Sequence, residues 1–358
     1  MDAPIAALAE QIRAAAAAHT TLRVRAGGSK DFYGNVPRGE PLDPRALRGI
    51  VSYEPAELAL AARAGTPLAE IEATLAAHEQ MLAFEPPYFG PGATIGGAVA
   101  SGLAGPRRAS AGFTYGGVRD FVLGAKLLDG RAQLLRFGGL VMKNVAGYDV
   151  ARLLAGSLGA LGVIVEVSLK VVPRPARQAT LRFALDEGPA LAQLNRWAGL
   201  PLPVSASAWH AGLLYVRLSG SEAALRAALR ALGGERLNEG AAAQFWLEVR
   251  EQTHSYFAGE APLWRLSLPQ AAPAVGSAEP QFIEWSGALR WLRSTRPAAE
   301  LRASAQALGG HATLFRGAGR AQGVFTPLSP PLAAIHRRLR AQFDPDGLFD
   351  AGRLVQGL

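Results

Sequence analysis

The chain has 358 residues, 49% hydrophobic and 18% charged, a balance that excludes extended disorder and predicts two domains or one large one around substantial cores. It has no cysteine, which excludes disulfides, a Cys nucleophile, thiolate-ligated iron–sulfur clusters and a thioether link to a cofactor. Thirty-seven basic against 29 acidic residues give a net charge of +8. Only Lys30, Lys126, Lys143 and Lys170 are lysines and the arginines form no dense run, so the excess reads as compositional bias, not as a nucleic-acid face.

Residues 1–19, acidic at Asp2 and Glu10, predict an amphipathic helix and not a signal peptide. No apolar run is long enough for a membrane span, so the expected location is the cytoplasm. A short apolar stretch, Thr21 to Val24, leads into the Gly-rich break at 24–34. Helices are predicted over Glu54 to Ala64, with Pro55 in the first turn, and from Thr66, where Leu68, Ile71 and Leu75 share a face. A loop-rich stretch follows at 84–108; its small residues, interleaved with Ile95 and Val99, suit backbone packed closely against a ligand.

Phe121 to Leu128 and Ala132 to Phe137 predict a hairpin turning at Asp129-Gly130, a pair that tolerates positive φ. Asp149 is placed as the cap of a short helix through Leu154. The clearest strand is 162–172, with Val163, Val165, Val167, Leu169 and Val171 alternating onto one face. It ends at Pro173-Arg-Pro175, the expected domain boundary. Beyond it the pattern gives strands at Ala179 to Leu185, Val204 to Trp209, Leu213 to Leu218, Leu263 to Leu268, Ile283 to Leu292 and Ala312 to Phe315. Helices are expected near Pro189 to Trp197, Ser221 to Leu232, Gln244 to Tyr256 and Ala298 to Leu308. This is an α+β pattern, helices covering one face of an antiparallel sheet.

Three nucleotide-binding patterns compete for the glycines. A dinucleotide fingerprint fails because no helix pattern follows Ala26-Gly27-Gly28-Ser29-Lys30. A Walker loop fails because the chain has no Gly-Lys pair. Two separated loops remain, at 26–30 and 90–105, whose amides suit a pyrophosphate. With them go Arg25-Ala-Gly-Gly-Ser-Lys30, Pro91-Gly-Ala-Thr-Ile-Gly-Gly97 with Ser101-Gly102, Lys143-Asn-Val-Ala-Gly-Tyr-Asp149, Gly156-Ser-Leu-Gly-Ala-Leu-Gly-Val-Ile164, and Phe343-Asp-Pro with Gly352-Arg353. In this order they resemble the FAD-binding flavoproteins of the vanillyl-alcohol oxidase (PCMH) type, and most of all the FAD-binding E subunits of bacterial glycolate oxidases.

The resemblance implies a PCMH-type FAD-binding domain of two α+β subdomains at 1–175, a ferredoxin-like α+β cap at 176–335, and a segment at 336–358 that returns to the flavin domain. It implies FAD held by Ala26, Gly27, Gly28, Ser29 and Lys30 around the pyrophosphate, and by Pro91, Gly92, Thr94, Ile95, Gly96, Gly97, Ser101 and Gly102 along the isoalloxazine and diphosphate. Gly162, Val163 and Ile164 are expected to meet the cofactor through main chain, with Tyr115 in the loop after the second glycine segment and Arg353 neutralising charge near the flavin. Lys143 and Asp149 read as structural.

The chain departs from catalytic relatives. No histidine falls in a flavin motif, so the FAD is expected to be non-covalent. Gly156-Ser-Leu-Gly-Ala160 stands where the family's 2-hydroxyacid dehydrogenases carry G-S-E-G-T, and the family's G-H-x-G-D-G-N-x-H metal and substrate cluster is reduced to Gly310-His311-Ala-Thr-Leu-Phe-Arg316. No metal site is expected. Oxidising a hydroxy acid needs a base and a cation for the carboxylate. Arg250, Arg290, Arg316 and Arg353 are candidate cations and His254, Tyr256 and His311 the few candidate bases, and no catalytic residue is assigned. One reading is therefore the FAD-carrying subunit of a glycolate (2-hydroxyacid) oxidase complex. Its expected partners are a paralogous catalytic flavin subunit and a Cys-rich iron–sulfur subunit, and its contact with the inner membrane is through the complex. The other is a self-sufficient FAD-dependent 2-hydroxyacid dehydrogenase with its base in the cap. A scaffold without FAD fits poorly with loops whose ordering needs a ligand. The segment Phe282 to Trp291 is open between a buried strand and a partner surface.

Overall fold

The computed structural model describes residues 2–109, 116–139, 149–275 and 279–355. Two antiparallel sheets organise them. The first has five strands in the order Ile50–Glu54, Ala59–Arg63, Val163–Lys170, Val122–Leu128, Leu134–Gly138. The second has eight: Glu235–Arg236, Arg177–Ala184, Leu213–Gly220, Val204–His210, Gln281–Glu284, Leu289–Arg293, Leu263–Ser267 and His311–Arg316. A small parallel pair, Leu22–Val24 with Glu40–Leu42, joins the helix Ala3–Ala17 and residues 348–350 on the far side of the strand Val163–Lys170. The fold is mixed α+β, with helices packed on antiparallel sheets. Among the described residues no helix is long and apolar enough to cross a membrane.

The strand Val163–Lys170 is central to the first sheet, and one irregularity in it decides the layering. Lys126 faces Glu166 but Leu127 faces Ile164, so Val165 is an extra residue in the ladder. A bulge of this kind reverses which face the following side chains take. Val163 and Val165 therefore pack with the N-terminal helix and Phe349, while Ile164, Val167 and Leu169 pack into the core under the helices Leu68–Ala76 and Ile95–Ser101. Strict alternation along the strand does not survive this, and the strand is buried on both faces.

Several expectations are corrected. Residues 54–64 are not a helix: Glu54 ends one strand, Pro55–Glu57 make a 3-10 turn, Leu58 adopts φ +53°, and Ala59–Arg63 form a strand against Val163–Lys170. The helix preference of alanine is overridden because these small side chains lie buried at a sheet centre. The loop-rich stretch holds a seven-residue helix, Ile95–Ser101, capped by Thr94. In the hairpin the positive φ falls on Ala132 (+55°) and not on Gly130, and Asp129 Oδ1 accepts the amides of Arg131 and Gln133 at 3.0 and 2.8 Å. Asp149 caps nothing; it pairs with Arg152 at 2.6 Å. The helix expected over 244–256 runs Glu239–Glu251 and stops at Gln252, which has φ +54°.

The single strand expected over 283–292 is a hairpin, Gln281–Glu284 and Leu289–Arg293, reversed by Trp285–Gly287. Trp285 and Trp291 are both buried, which settles the segment as core. Trp285 Nε1 donates to Gly105 O at 3.0 Å, so the second sheet is tied to the end of the second glycine loop. The helix Pro330–Phe343 had no counterpart in the reading of the sequence. After it, Asp344 accepts the amides of Leu348 and Phe349, and Asp350 N donates to Leu22 O at 2.9 Å.

Candidate functional site

The two glycine loops meet. A Cβ on Gly27 would overlap the carbonyl oxygen of Gly92, and one on Gly92 would lie 2.6 Å from Gly27 O. Only glycine permits that crossing. Gly28 takes φ +71°, and Asp31 N donates back to Gly28 O at 3.0 Å. Farther in, Gly96 N donates to Ala64 O at 2.8 Å, and a Cβ there would meet Ala64 Cβ at 2.6 Å. This seats the helix Ile95–Ser101 directly on the first sheet. Gly162, at φ +137°, admits the strand Val163–Lys170 beside Leu128.

Together these elements enclose a cleft. Its walls are Val24 to Asp31, Gly92, Thr94, Gly96, Gly97, Ala100 and Ser101, with Pro44 and Ala64 below; Leu158, Gly159, Gly162, Ile164 and Arg353 close it. None of the amides of residues 26–30 has a hydrogen-bond acceptor among the described residues. Five successive free N–H groups in a turn form a concave donor array suited to a phosphate. Arg353 donates through Nη2 to Lys30 O (3.1 Å) and Tyr33 O (3.2 Å), while its buried Nε has no partner. Lys30 is buried beside Ser29 Oγ and Tyr88 O, and desolvation lowers its pKa to about 8 against the opposing pull of Glu251. The donors, the cations and the missing Cβ atoms all fit a diphosphate lying across the crossing point.

Of the residues expected to bind cofactor, Ala26, Gly27, Gly28, Ser29, Lys30, Gly92, Thr94, Gly96, Gly97, Ser101, Gly162, Ile164 and Arg353 line this cleft. Four do not. Pro91 is exposed, Ile95 and Val163 point into separate cores, and Gly102 ends the helix at φ +63° against Gly156. Tyr115 and Lys143 lie outside the described residues. Leu158 and Gly159, inside the run Gly156 to Ile164, line the cleft as well, and Pro44 and Ala64 carry no sequence signal because tertiary packing alone brings them there.

The candidate bases sit elsewhere. His254 Nδ1 accepts from Tyr256 N at 3.2 Å within a ring cluster of His210, Phe245 and Phe282, where burial holds its pKa down. Tyr256 OH donates to Trp291 O at 2.7 Å, and His311 is exposed at a strand end. A group not foreseen is Glu284: fully buried, it accepts from Trp291 Nε1 at 2.7 Å, and burial raises its pKa to about 7 despite Trp291 and Arg265.

The four candidate arginines divide cleanly. Arg250 pairs with Glu251 (2.9 Å) and Glu72 (3.6 Å). Arg290 serves three backbone carbonyls, and Arg353 serves two. Arg316 has no acidic or hydrogen-bond partner among the described residues. It lies over Phe32 (4.3 Å) and Phe89 (4.9 Å), and Lys30 Nζ lies 5.8 Å from the same Phe89 ring.

Residues 4–138 match the model of an FAD binding domain. The glycolate oxidase subunit GlcE of Escherichia coli is 47% identical over 98% of this chain and 97% of its own. The glycolate oxidase subunit GlcD of Bacillus subtilis is 39% identical over 28% of this chain and 20% of its own. The D-2-hydroxyglutarate dehydrogenase of Xanthomonas citri pv. viticola is 31% identical over 41% and 30%. Among solved structures, an alkyldihydroxyacetonephosphate synthase superposes with a TM-score of 0.63 over 95% of this chain and 74% of its own; at 13% identity that likeness is one of fold. The other two relatives match only part of each chain, but the first spans both chains almost entirely, and on that ground this chain belongs to the family of the glycolate oxidase subunit GlcE.

Proposed function

We propose that this chain is the FAD-carrying subunit of a glycolate (2-hydroxyacid) oxidase complex. The observation that carries the reading is the row of five free amides at 26–30, crossed by Gly92, in a chain that matches a glycolate oxidase subunit from end to end. The amides and Lys30 bind the diphosphate, Arg353 holds the loop through its two carbonyls and offers its free Nε to the ligand, and the helix Ile95–Ser101 forms the opposite wall. Bound there, FAD supplies a hydride acceptor. It is held without a covalent bond, since no His or Tyr lines the cleft among the described residues and the chain has no cysteine. The flavin domain occupies 1–175, the cap 176–335, and 336–358 returns to the flavin domain.

The partners in this reading are a paralogous catalytic flavin subunit and a Cys-rich iron–sulfur subunit. The complex, not this chain, meets the inner membrane. A self-sufficient dehydrogenase is the second reading, and Arg316 favours it: a partly buried cation without a counterion, near the cleft, suits a substrate carboxylate. Glu284, a buried carboxyl whose pKa burial raises to about 7, is the candidate base. Purified alone and reconstituted with FAD, the chain is expected to show flavin absorbance that persists when glycolate is added anaerobically and bleaches once the partner subunits are present. Bleaching by glycolate in the chain alone would select the second reading, and absence of bound flavin would overturn both.

A further inference from the structure

A second cleft lies apart from the glycine loops, where the segment joining the two sheets passes the helix Glu239–Glu251. It encloses about 570 Å³ and is lined by six arginines and three glutamates. In its floor Glu85 is enclosed by Arg217 (2.8 Å) and Arg107 (3.3 Å), and Glu72 takes Arg250 (3.6 Å) and Tyr88 OH (2.9 Å). Each floor carboxylate is thus already satisfied by cations. Arg217 also stacks over Trp246 (5.1 Å), whose Nε1 donates to Thr180 Oγ1 at 2.9 Å, which fixes that wall.

The rim differs. Arg174, Arg177 and Arg236 are exposed and have no acidic partner among the described residues, and of the three lining glutamates only Glu239 is not held by the floor arginines. Arg174 precedes Pro175 in the joining segment, Arg177 opens the strand Arg177–Ala184, and Arg236 stands on the edge strand Glu235–Arg236 that pairs with it. Like charges converging on one concavity repel unless an anion enters, and a low-dielectric wall strengthens both effects. The enclosed volume lies in the range of small-ligand sites. Between the arginines the walls are apolar at Met81, Leu82, Ala242 and Ala243.

We infer that this cleft binds a small polyanion, two or more carboxylate or phosphate groups on a short carbon skeleton, with the charged groups on Arg174, Arg177 and Arg236. Guanidinium forks suit both oxyanions. The three arginines line one concavity together with Arg107, Arg217 and Arg250, which favours a free small anion over an acidic segment of a protein.

The test uses the full chain saturated with FAD, so that the glycine cleft is closed to the probes, with citrate and pyrophosphate titrated calorimetrically at constant ionic strength. Saturable one-to-one binding of at least one probe is expected. The combined variant Arg174→Gln, Arg177→Gln and Arg236→Gln, which changes only exposed side chains, should weaken it about a hundredfold with flavin occupancy unchanged. Lys30→Gln should leave it unaltered. No saturable binding to the wild type, equal affinity in the triple variant, or loss in Lys30→Gln alone would overturn the inference. So would arginine-dependent binding of hexaglutamate without binding of either small probe, which would assign the cleft to an acidic protein segment.

Discussion

At Gly27 a single methyl group separates a working loop from a displaced one. Gly27→Ala must push the first loop away from Gly92, so the variant is expected to purify without flavin absorbance while its circular dichroism stays near wild type. Lys30 gives a pH signature. Its folded pKa of about 8 lies below the ordinary lysine value, so between about pH 8 and 10 the unfolded chain binds more protons and this group makes the apo chain more stable as pH rises. Diphosphate binding moves the other way, because the bound charge is lost above about pH 8. FAD affinity should therefore fall across that range while apo stability rises, and Lys30→Met should flatten both curves. Glu284 has the opposite stability sign. Its folded pKa of about 7 lies above the unfolded value, so its contribution is complete below about pH 4 and is lost as pH rises through 7. Glu284→Gln keeps an acceptor for Trp291 and is expected to raise the unfolding midpoint at pH 8, with little change at pH 5. A larger gain at pH 5 than at pH 8 would contradict the assignment.

Elements here are decided by neighbours as often as by their own residues. The helix Ala3–Ala17 and the strand Leu213–Gly220 are legible from periodicity because each buries one consistent face. The strand Ala59–Arg63 is not, because alanine prefers a helix and only its pairing with Val163–Lys170 selects the extended form. The bulge at Val165 is invisible for a related reason: a run of valines is compatible with either face, and the register is set by the partner strand. In the hairpin Val122–Leu128 with Leu134–Gly138, Asp129 replaces the glycine turn by accepting two amides from a site 1% exposed. Asp129→Ala leaves both donors without that acceptor and is expected to cost about 1–3 kcal/mol in chemical denaturation.

Across the whole molecule, the eight-stranded sheet is tied to the end of the second glycine loop by the indole of Trp285. Trp285→Ala removes a fully buried ring and its bond to Gly105 O, an expected loss of about 3–5 kcal/mol. It should also open the Gly105 region to limited proteolysis. By itself the sequence determined that its glycines gather in two separated loops, that thiolate chemistry is absent, and that the fold is α+β, because glycine spacing, cysteine count and periodicity are local properties. The tertiary structure decided which loop residues face the cleft, since Ile95 and Val163 alternate into cores beside their lining neighbours. It also decided which of the four candidate arginines is left without an acidic or hydrogen-bond partner among the described residues. Pairing depends on what folding brings within a few ångströms, and no residue carries that information alone.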